Sequence, residues 1–515
     1  MNLFSVQFYH VIFLSLAITL PTTSLSLAHE PLAPKIYDTK ATNFLDSFFE
    51  GLSELEIGLS NASNNVVEYF QEMFHAPSHT TPKYKYDVTL VGFVNFADGI
   101  GRHPILFKEC IGDNAKINFL STRDISPDIE DLQLGLPRLR PGHPEDIGAI
   151  SILTDILADK ALNLYTKVPN SLIKVAYTMF ESTRIPDNWV HILNHKFDMA
   201  VVPDHFLVNV FKHCGVKIPV FVLPLPLLLQ DFMKIRQRPV ARKPFVFGTS
   251  GGFWKRKNHI KVLEAFIAEF GNRSDVQLKL HGRFGEESVI KEIVEKIKKY
   301  NLTNVELIVK PFNWEEYLAF FKSLDCYVFL SMGEGFSITP REALAAGKPC
   351  ILTNNTAQTT ICNTGTVRVV PSNIPVPAFY DCHYDNNCLQ DSDESQIENF
   401  LELGQHGFLD HLNRDDYLLM KSANIGFQFD CSTHDAREAM RDVYENYSFY
   451  NLKAKEGREW VKQYLYKNLS SKYVSLVKPR SIVLGQENII GDNFLMTDSK
   501  ALYEKYRELL GMHNN

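Results

Sequence analysis

The sequence lacks a surplus of positive charge and any recognisable set of metal ligands. Its formal net charge is −7 over 515 residues, with 53 lysines and arginines against 60 aspartates and glutamates. A general nucleic-acid-binding protein presents a basic face, and this composition argues against that class. The cysteines are scattered, and no cluster of histidine and cysteine has metal-ligand spacing. We therefore expect no nucleic-acid partner and no bound metal.

Long apolar runs are also scarce. The one that stands out lies near the amino terminus, at residues 11–20. The run has the length of a signal peptide and is short for a membrane span. Residues 1–10 contain no lysine or arginine. We interpret residues 1–28 as a signal-like or anchor segment, with an uncleaved hydrophobic start as the alternative. The protein is then secretory or associated with a membrane through its amino terminus, and otherwise cytoplasmic.

The rest of the chain indicates an α/β protein with several parts. Residues 29–83 have helical periodicity followed by a turn-rich linker. Strands and amphipathic helices alternate from residue 84, which is typical of parallel sheets covered on both faces. We predict two Rossmann-like domains, an amino-terminal one at 84–235 and a carboxyl-terminal one at 236–430, and a helical segment at 431–515. The carboxyl ends of the two sheets should face a common cleft, where such sheets bind ligands.

A polar, Asp/Asn-rich surface insertion is predicted near residues 380–396 of the second domain. Cys382 and Cys388 flank a polar loop in this insertion. They would form a disulfide in an oxidising compartment and remain thiols in a reducing one.

The strongest local signal is the segment 331–347, Ser-Met-Gly-Glu-Gly-Phe-Ser-Ile-Thr-Pro-Arg-Glu-Ala-Leu-Ala-Ala-Gly. It follows an apolar strand that ends at Leu330. Pro340 is the favoured residue for a first helical position, and Thr339 before it is a suitable cap. Gly347 is expected to end this helix. The helix amino terminus would then point out of the carboxyl edge of the sheet, where its dipole suits a phosphate.

Two glutamates of this segment are candidate ligand-binding residues. Glu334 lies between Gly333 and Gly335 in the loop, where the glycines allow close approach of the backbone to a ligand. Carboxylates suit sugar and ribose hydroxyls because each can accept two hydrogen bonds. Glu342 has a structural explanation of equal weight, because Thr339 and Glu342 have the spacing of a capping box.

These residues resemble the Glu-x7-Glu signature of the family-4 retaining glycosyltransferases, which have the GT-B fold. The run from Gly335 to Pro349 follows the family closely, and a looser resemblance extends over residues 86–372. It implies that Glu334 contacts the transferred sugar and Glu342 the ribose of a nucleotide-sugar donor. The neighbouring Gly335, Phe336 and Ser337 are then donor-binding residues as well.

A basic turn, Lys255-Arg256-Lys257, follows the first strand of the second domain. Cations at this position are suited to a diphosphate leaving group. The alternative is a solvated basic turn with Asn258 as a helix cap. The turn resembles the family's Arg/Lys pair, with Lys257 as the lysine. Thr249 stands where the family commonly has its arginine, and we assign that role to Arg256.

A glycine-rich turn, with Gly99 and Gly101, follows the first strand and should open a helix near His103 or Pro104. A lone Gly-x-Gly is weak evidence, and the third glycine of a dinucleotide-binding motif is missing, which argues against a dehydrogenase. In the resembled family this loop lies near the donor phosphates. Asp98 and Arg102 are therefore expected to face the cleft.

Further candidates lie at the ends of other strands. Glu181 and Arg184 follow a buried strand and would line the cleft wall, or form a salt-bridged loop. A branch of the resembled family has a similar run here. Phe312 is expected to contact the nucleobase, and His281 and Arg283 are other candidate lining residues.

We expect a retaining hexosyltransferase that uses a GDP- or UDP-sugar as donor, with no further cofactor. Its acceptor would be a glycan, a lipid or a protein. Two alternatives stay open: a nucleotide-sugar hydrolase, epimerase or phosphorylase-like enzyme, and a non-catalytic sugar- or partner-binding protein on the same scaffold.

Overall fold

The protein is represented by a computed structural model, which describes residues 84–95, 99–123, 139–158, 163–378 and 425–477. Several predictions lie outside these residues. They are the signal-like segment, the helical preface, Asp98, the insertion near 380–396 with Cys382 and Cys388, and residues 478–515 of the predicted helical segment.

The first parallel sheet has six strands among the described residues, in the order β2-β1-β3-β4-β5-β6. All neighbouring strands are parallel, so every connection is a crossover. The strands read as nearly continuous apolar runs because helices or loops cover both faces. Their bounds are β1 Tyr86–Gly92, β2 Ile117–Ser121, β3 Gly148–Leu153, β4 Ile173–Tyr177, β5 Met199–Val202 and β6 Val220–Val222. The helices are α1 Gly99–Ile111, α2 Asp187–Lys196, α3 His205–His213 and α4 Gln230–Met233.

The second parallel sheet also has six strands within the described part of the chain, in the order β12-β11-β10-β7-β8-β9. The order reverses beside β7, and α/β sheets bind ligands at such a switch point. The strands are β7 Phe245–Ser250, β8 Val276–Gly282, β9 Val305–Val309, β10 Cys326–Phe329, β11 Cys350–Thr353 and β12 Arg368–Val370. The helices are α5 His259–Phe270, α6 Glu287–Lys299, α7 Trp314–Ser323, α8 Ile338–Ala345 and α9 Thr359–Cys362.

The last described elements tie the two domains together. A short antiparallel pair, β13 Ile374–Pro377 and β14 Phe427–Asp430, precedes the helices α10 Thr433–Glu445, α11 Tyr447–Trp460 and α12 Tyr466–Val477. Helix α12 returns to the first domain, where the hydroxyl of Tyr473 lies 3.2 Å from Nε2 of His103 on α1. None of the helices described is long and apolar enough to cross a bilayer.

The predicted α/β class, with two Rossmann-like domains, is confirmed. The apolar runs that start at Tyr86, Phe245 and Val305 predict strands, and β1, β7 and β9 begin at these residues. Strands β2 and β3 were not predicted, and β2 has a mixed burial pattern that gives only a weak periodic signal. The described cysteines, at positions 110, 214, 326, 350, 362 and 431, are free thiols.

Candidate functional site

A cavity of about 310 Å³ lies where the carboxyl ends of the two sheets face each other. The first domain contributes the first turn of α1 and the residues after β4, and the second contributes the loops after β7, β8, β9 and β10. Four cations and two carboxylates line it: Arg102, Arg256, Lys257, Arg283, Glu181 and Glu334. The lining itself carries a net charge of +2, and Glu342 behind the wall neutralises Arg102, so a net charge of +1 remains that favours an anionic ligand.

Glu334 is a buried carboxylate of this cavity with three side-chain donors. It follows β10 and is only 6% exposed. Its Oε1 accepts hydrogen bonds from Lys257 Nζ at 2.6 Å and Arg256 Nη1 at 3.0 Å. Ser331 Oγ donates to the same atom at 2.6 Å. Burial opposes ionisation, but the two cations outweigh it and lower the pKa of Glu334, so the side chain is a carboxylate at neutral pH.

The two cations come from the turn that follows β7, Lys255–Lys257. Burial lowers the pKa of Lys257, and the charge of Glu334 opposes that shift. Arg256 links both carboxylates of the cavity, because its Nη2 lies 3.3 Å from Glu181 Oε1. These side chains form a buried charge network, in which removing one partner leaves the others uncompensated. Among the described residues, no group of three or more His, Cys, Asp or Glu side chains is placed to hold a metal ion.

Glu342 lies behind the cavity wall and is only 1% exposed. Its Oε1 accepts a hydrogen bond from Arg102 Nη1 at 2.8 Å, and its Oε2 accepts one from Tyr317 OH at 2.6 Å. Arg102 belongs to α1 of the first domain, so this ion pair joins the two domains. Burial raises the pKa of Tyr317 well above its ordinary value, and the charge of Glu342 adds to the shift.

The helix after Glu334 starts earlier than the sequence suggested. Helix α8 begins at Ile338, with Ser337 as the N-cap residue in the left-handed region at φ 61°. The predicted start at Pro340 is wrong, and so is the capping box of Thr339 and Glu342. Thr339 Oγ1 instead accepts a hydrogen bond from Tyr327 OH at 2.8 Å. The helix amino terminus nevertheless borders the cavity, as predicted for a phosphate-binding position.

The glycine turn after β1 lies against α8. Helix α1 begins at Gly99, and the expected start near His103 or Pro104 is wrong. A Cβ atom at Gly99 would come within 2.6 Å of Ile338 Cδ1, so a larger residue at this position would require the Ile338 side chain to shift. Gly101 has a different role, because a Cβ there would be 2.7 Å from the backbone of Asn95.

Aromatic rings form the far end of the cavity. Phe312 stacks on His281 with ring centroids 3.8 Å apart and an interplanar angle of 9°. His281 is held by Ser250 Oγ, which lies 2.8 Å from its Nδ1. Burial lowers the pKa of His281 to about 4, so the imidazole is neutral at pH 7. Arg283 lies over the ring of Phe284, 4.3 Å from its centroid.

The cavity brings most of the predicted site residues together. Those in its lining are Glu334, Lys257, Arg256, Gly335, Phe336, Ser337, Gly99 and Phe312. Glu342 and Gly101 are outside the lining, and Glu342 is connected to it through the lining residues Arg102 and Tyr317. Asn258 was expected to cap α5 through its side chain, but Nδ2 bonds Asp430 at 2.7 Å instead.

Sequence reasoning missed Ser331, Tyr317 and Trp254. Ser331 follows β10 directly and bonds Glu334, so its place at a strand end was a usable signal. Tyr317 is one of several aromatic residues in α7, and its sequence position does not indicate which of them faces Glu342. Trp254 lines the cavity beside the basic turn.

Residues 231–373 match the family model described as glycosyl transferases group 1. None of the curated proteins matches the sequence significantly.

Several solved structures are similar to this chain at low sequence identity. Sucrose-phosphate synthase from Thermosynechococcus elongatus is 12% identical, with a TM-score of 0.50, over 78% of this chain and 100% of that one. HepE from Anabaena, in complex with UDP and glucose, is 11% identical with a TM-score of 0.48, over 78% and 100%. A trehalose-6-phosphate structure from E. coli with bound UDP-2-fluoro glucose is 8% identical with a TM-score of 0.49, over 76% and 99%.

Proposed function

We propose that this chain, whose residues 231–373 form a glycosyl transferases group 1 domain within a GT-B fold, transfers a neutral hexose from a nucleoside diphosphate sugar. Transfer proceeds with retention of configuration at the anomeric carbon, to a hydroxyl group of a glycan, lipid or protein. The observation that carries this proposal is the convergence of Glu334, Arg256 and Lys257 on one cavity.

The cations of the basic turn are suited to the leaving diphosphate. Negative charge develops on the phosphate oxygen as the bond to the sugar breaks, and fixed cations stabilise it without reorganisation. Arg256 and Lys257 are already held by Glu334 in a largely buried site, so their charges act at a low effective dielectric. The amino terminus of α8 adds its dipole from the same side. These groups supply what a metal ion supplies elsewhere, and we propose that the reaction needs none.

The net charge of the lining supports a neutral sugar. Each phosphate of a nucleotide sugar carries one negative charge, so the two already exceed the net charge of +1 that remains once Glu342 is counted. A sugar acid would add an uncompensated carboxylate near Glu334. Within the described residues the side-chain hydrogen bonds of Glu334 all involve Oε1, so Oε2 is available to accept hydrogen bonds from sugar hydroxyls.

We propose that Glu342 positions the ribose of the donor. It does so either indirectly, through Arg102, or by direct contact after its ion pair with Arg102 opens. In the present arrangement both carboxylate oxygens bind protein donors. Phe312 and His281 provide a flat aromatic surface against which a nucleobase can pack. The donor nucleotide is GDP or UDP.

Ligand-induced stabilisation tests the proposal directly. The thermal unfolding midpoint of the purified protein is measured with UDP, GDP, UDP-glucose and GDP-mannose. A ligand at about 100 times its Kd stabilises the folded state by about 2.7 kcal/mol, and we expect this for one nucleotide class. Lys257→Ala should remove the shift, whereas Lys455→Ala, an exposed lysine on α11, should keep it.

Products then separate the transferase from its alternatives. With the donor that stabilises the protein, nucleotide release and the anomeric configuration of the product are followed by NMR, with and without added acceptors. A transferase needs an acceptor for full turnover, whereas a hydrolase releases free sugar at the same rate in water alone. If no nucleotide shifts the midpoint of the wild-type protein, the proposed function is wrong.

A further inference from the structure

Glu181 is a carboxylate in the cavity that comes from the first domain, opposite the proposed donor-binding residues. It lies four residues after the end of β4, and its side chain is 23% exposed and lines the cavity. The other carboxylate of the lining, Glu334, comes from the second domain. The cavity therefore has one carboxylate on each wall.

A single guanidinium holds both carboxylates. Arg256 Nη1 donates to Glu334 Oε1 at 3.0 Å, and Arg256 Nη2 lies 3.3 Å from Glu181 Oε1. A planar guanidinium has a rigid fork of donors, so binding two carboxylates at once fixes their relative position. Glu181 is thus placed within reach of the same reacting centre as Glu334.

The backbone around Glu181 is fixed by close contacts with the loop after β10. A Cβ atom at Gly333 would be 2.2 Å from the carbonyl oxygen of Glu181. A Cβ at Gly335 would be 2.9 Å from the side chain of Met179. Both glycines beside Glu334 therefore allow the strand end of the first domain to pack directly on the loop of the second.

Strand β14 fixes the same loop from another side. Ser182 Oγ donates to the carbonyl of Ile425 at 2.6 Å. The backbone N–H of Phe427 donates to Thr183 Oγ1 at 2.9 Å, and Thr183 N–H donates to the carbonyl of Phe427 at 3.1 Å. Such a firmly held loop is a suitable base for a side chain that has to be positioned accurately.

We propose that Glu181 is a catalytic residue on the acceptor side, which accepts a hydrogen bond from the attacking hydroxyl group. This inference rests on the proposed function. In the transfer step the acceptor oxygen forms a bond to the anomeric carbon, and the bond from that carbon to the diphosphate breaks. The hydroxyl proton passes to the departing phosphate oxygen, and the nucleoside diphosphate leaves. Glu181 orients the hydroxyl group and takes up no net proton in the reaction.

The charge of Glu181 supports the acceptor rather than the donor as its partner. A carboxylate repels a diphosphate, so Glu181 does not assist nucleotide binding by direct contact. A hydroxyl group, by contrast, donates a hydrogen bond that is stronger when the acceptor is charged. In the proposed function the second domain holds the nucleotide. The wall of the first domain, which carries Glu181, is then available to the acceptor.

Glu181→Gln tests this inference, because the change removes the charge and keeps the size. The nucleotide and the nucleotide sugar that stabilise the wild-type protein are used as probes, with water and glycerol as acceptors. We expect the variant to bind the nucleoside diphosphate with an unchanged or smaller Kd. Nucleotide release from the sugar donor should fall on the order of tenfold or more, and the KM for glycerol should rise. Glu295→Gln, on the exposed face of α6, is the matched control and should keep wild-type values.

Each result decides the inference. A Glu181→Gln protein that binds nucleotide and turns over the donor at the wild-type rate overturns it. A variant that loses nucleotide affinity in parallel with turnover also overturns it, because Glu181 would then act by holding Arg256. A wild-type protein that is not stabilised by any nucleotide removes the proposed function and this inference with it.

Discussion

Replacing Glu334 by glutamine should lower the free energy of unfolding of the unliganded protein and raise its affinity for a nucleoside diphosphate. The change keeps the side-chain volume and removes the negative charge that Arg256 and Lys257 share. In the unliganded variant these two largely buried cations face each other without their common partner. A bound diphosphate supplies the missing negative charge.

The two effects have different expected sizes. Removing one partner of a buried ion pair typically costs about 3–5 kcal/mol in the free energy of unfolding. Lys257 limits this loss, because its pKa is already lowered by burial and it can release its proton. We therefore expect a loss of about 3 kcal/mol. If half of it is recovered on binding, the Kd for the nucleoside diphosphate falls about tenfold, since a factor of ten corresponds to about 1.4 kcal/mol.

Titration calorimetry with the free nucleoside diphosphate, together with urea unfolding, measures both quantities. The free nucleotide is the correct ligand, because it contains no sugar and Glu334 is proposed to bind the sugar. Turnover of the nucleotide sugar should fall on the order of tenfold or more in the same variant. A Glu334→Gln protein that binds the free nucleotide more weakly than the wild type refutes the reasoning. Glu334 would then hold the two cations in position instead of competing with the phosphates.

Two further predictions concern the same network. The pKa of Lys257 is lowered in the folded protein, so its charged form is lost at a lower pH than in the unfolded chain, and the free energy of unfolding rises with pH across that interval. Nucleotide affinity should fall over the same alkaline interval as the neutral amine replaces the cation. Lys257→Arg should abolish this fall in affinity when binding is measured by calorimetry over a pH series. A Lys257→Arg protein whose affinity falls with pH as in the wild type would contradict the prediction. Gly333→Ala should lower the unfolding midpoint, because its Cβ would be 2.2 Å from the carbonyl oxygen of Glu181. Gly251→Ala, with no neighbour closer than 3.8 Å, should keep the midpoint, and equal midpoints would show that the loops are not tightly packed.

The fold class was predictable because the pattern of strands and helices is strong. Strands such as β1 and β9 are short apolar runs bounded by polar residues, and their limits were read correctly from sequence. The pairing of β13 with β14 was not predictable, because the two strands are about 50 residues apart along the chain. Helix starts were also misread, since Ser337 adopts a left-handed conformation that its residue type does not indicate.

The residues that form the site were largely predictable from the sequence, whereas the contacts between them were not. Glu334 between two glycines, and the basic turn after β7, were recognisable from local sequence, and the cavity contains both. The ion pair of Arg102 with Glu342 joins residues 240 positions apart, and no local pattern contains that information. Glu342 also shows that a capping spacing can be coincidental, because its oxygens bind Arg102 and Tyr317 instead of the helix backbone.

Because α12 packs on the first domain, the core of that domain is completed late during synthesis. Tyr473 and His103 meet although 370 residues separate them. A ribosome adds about 5–20 residues per second, so the core beside α1 stays open for many seconds after its own strands have emerged. Helices α10 and α11, which cover the second domain, emerge before α12. The core of the first domain is therefore completed only after the helices that cover the second domain have been made.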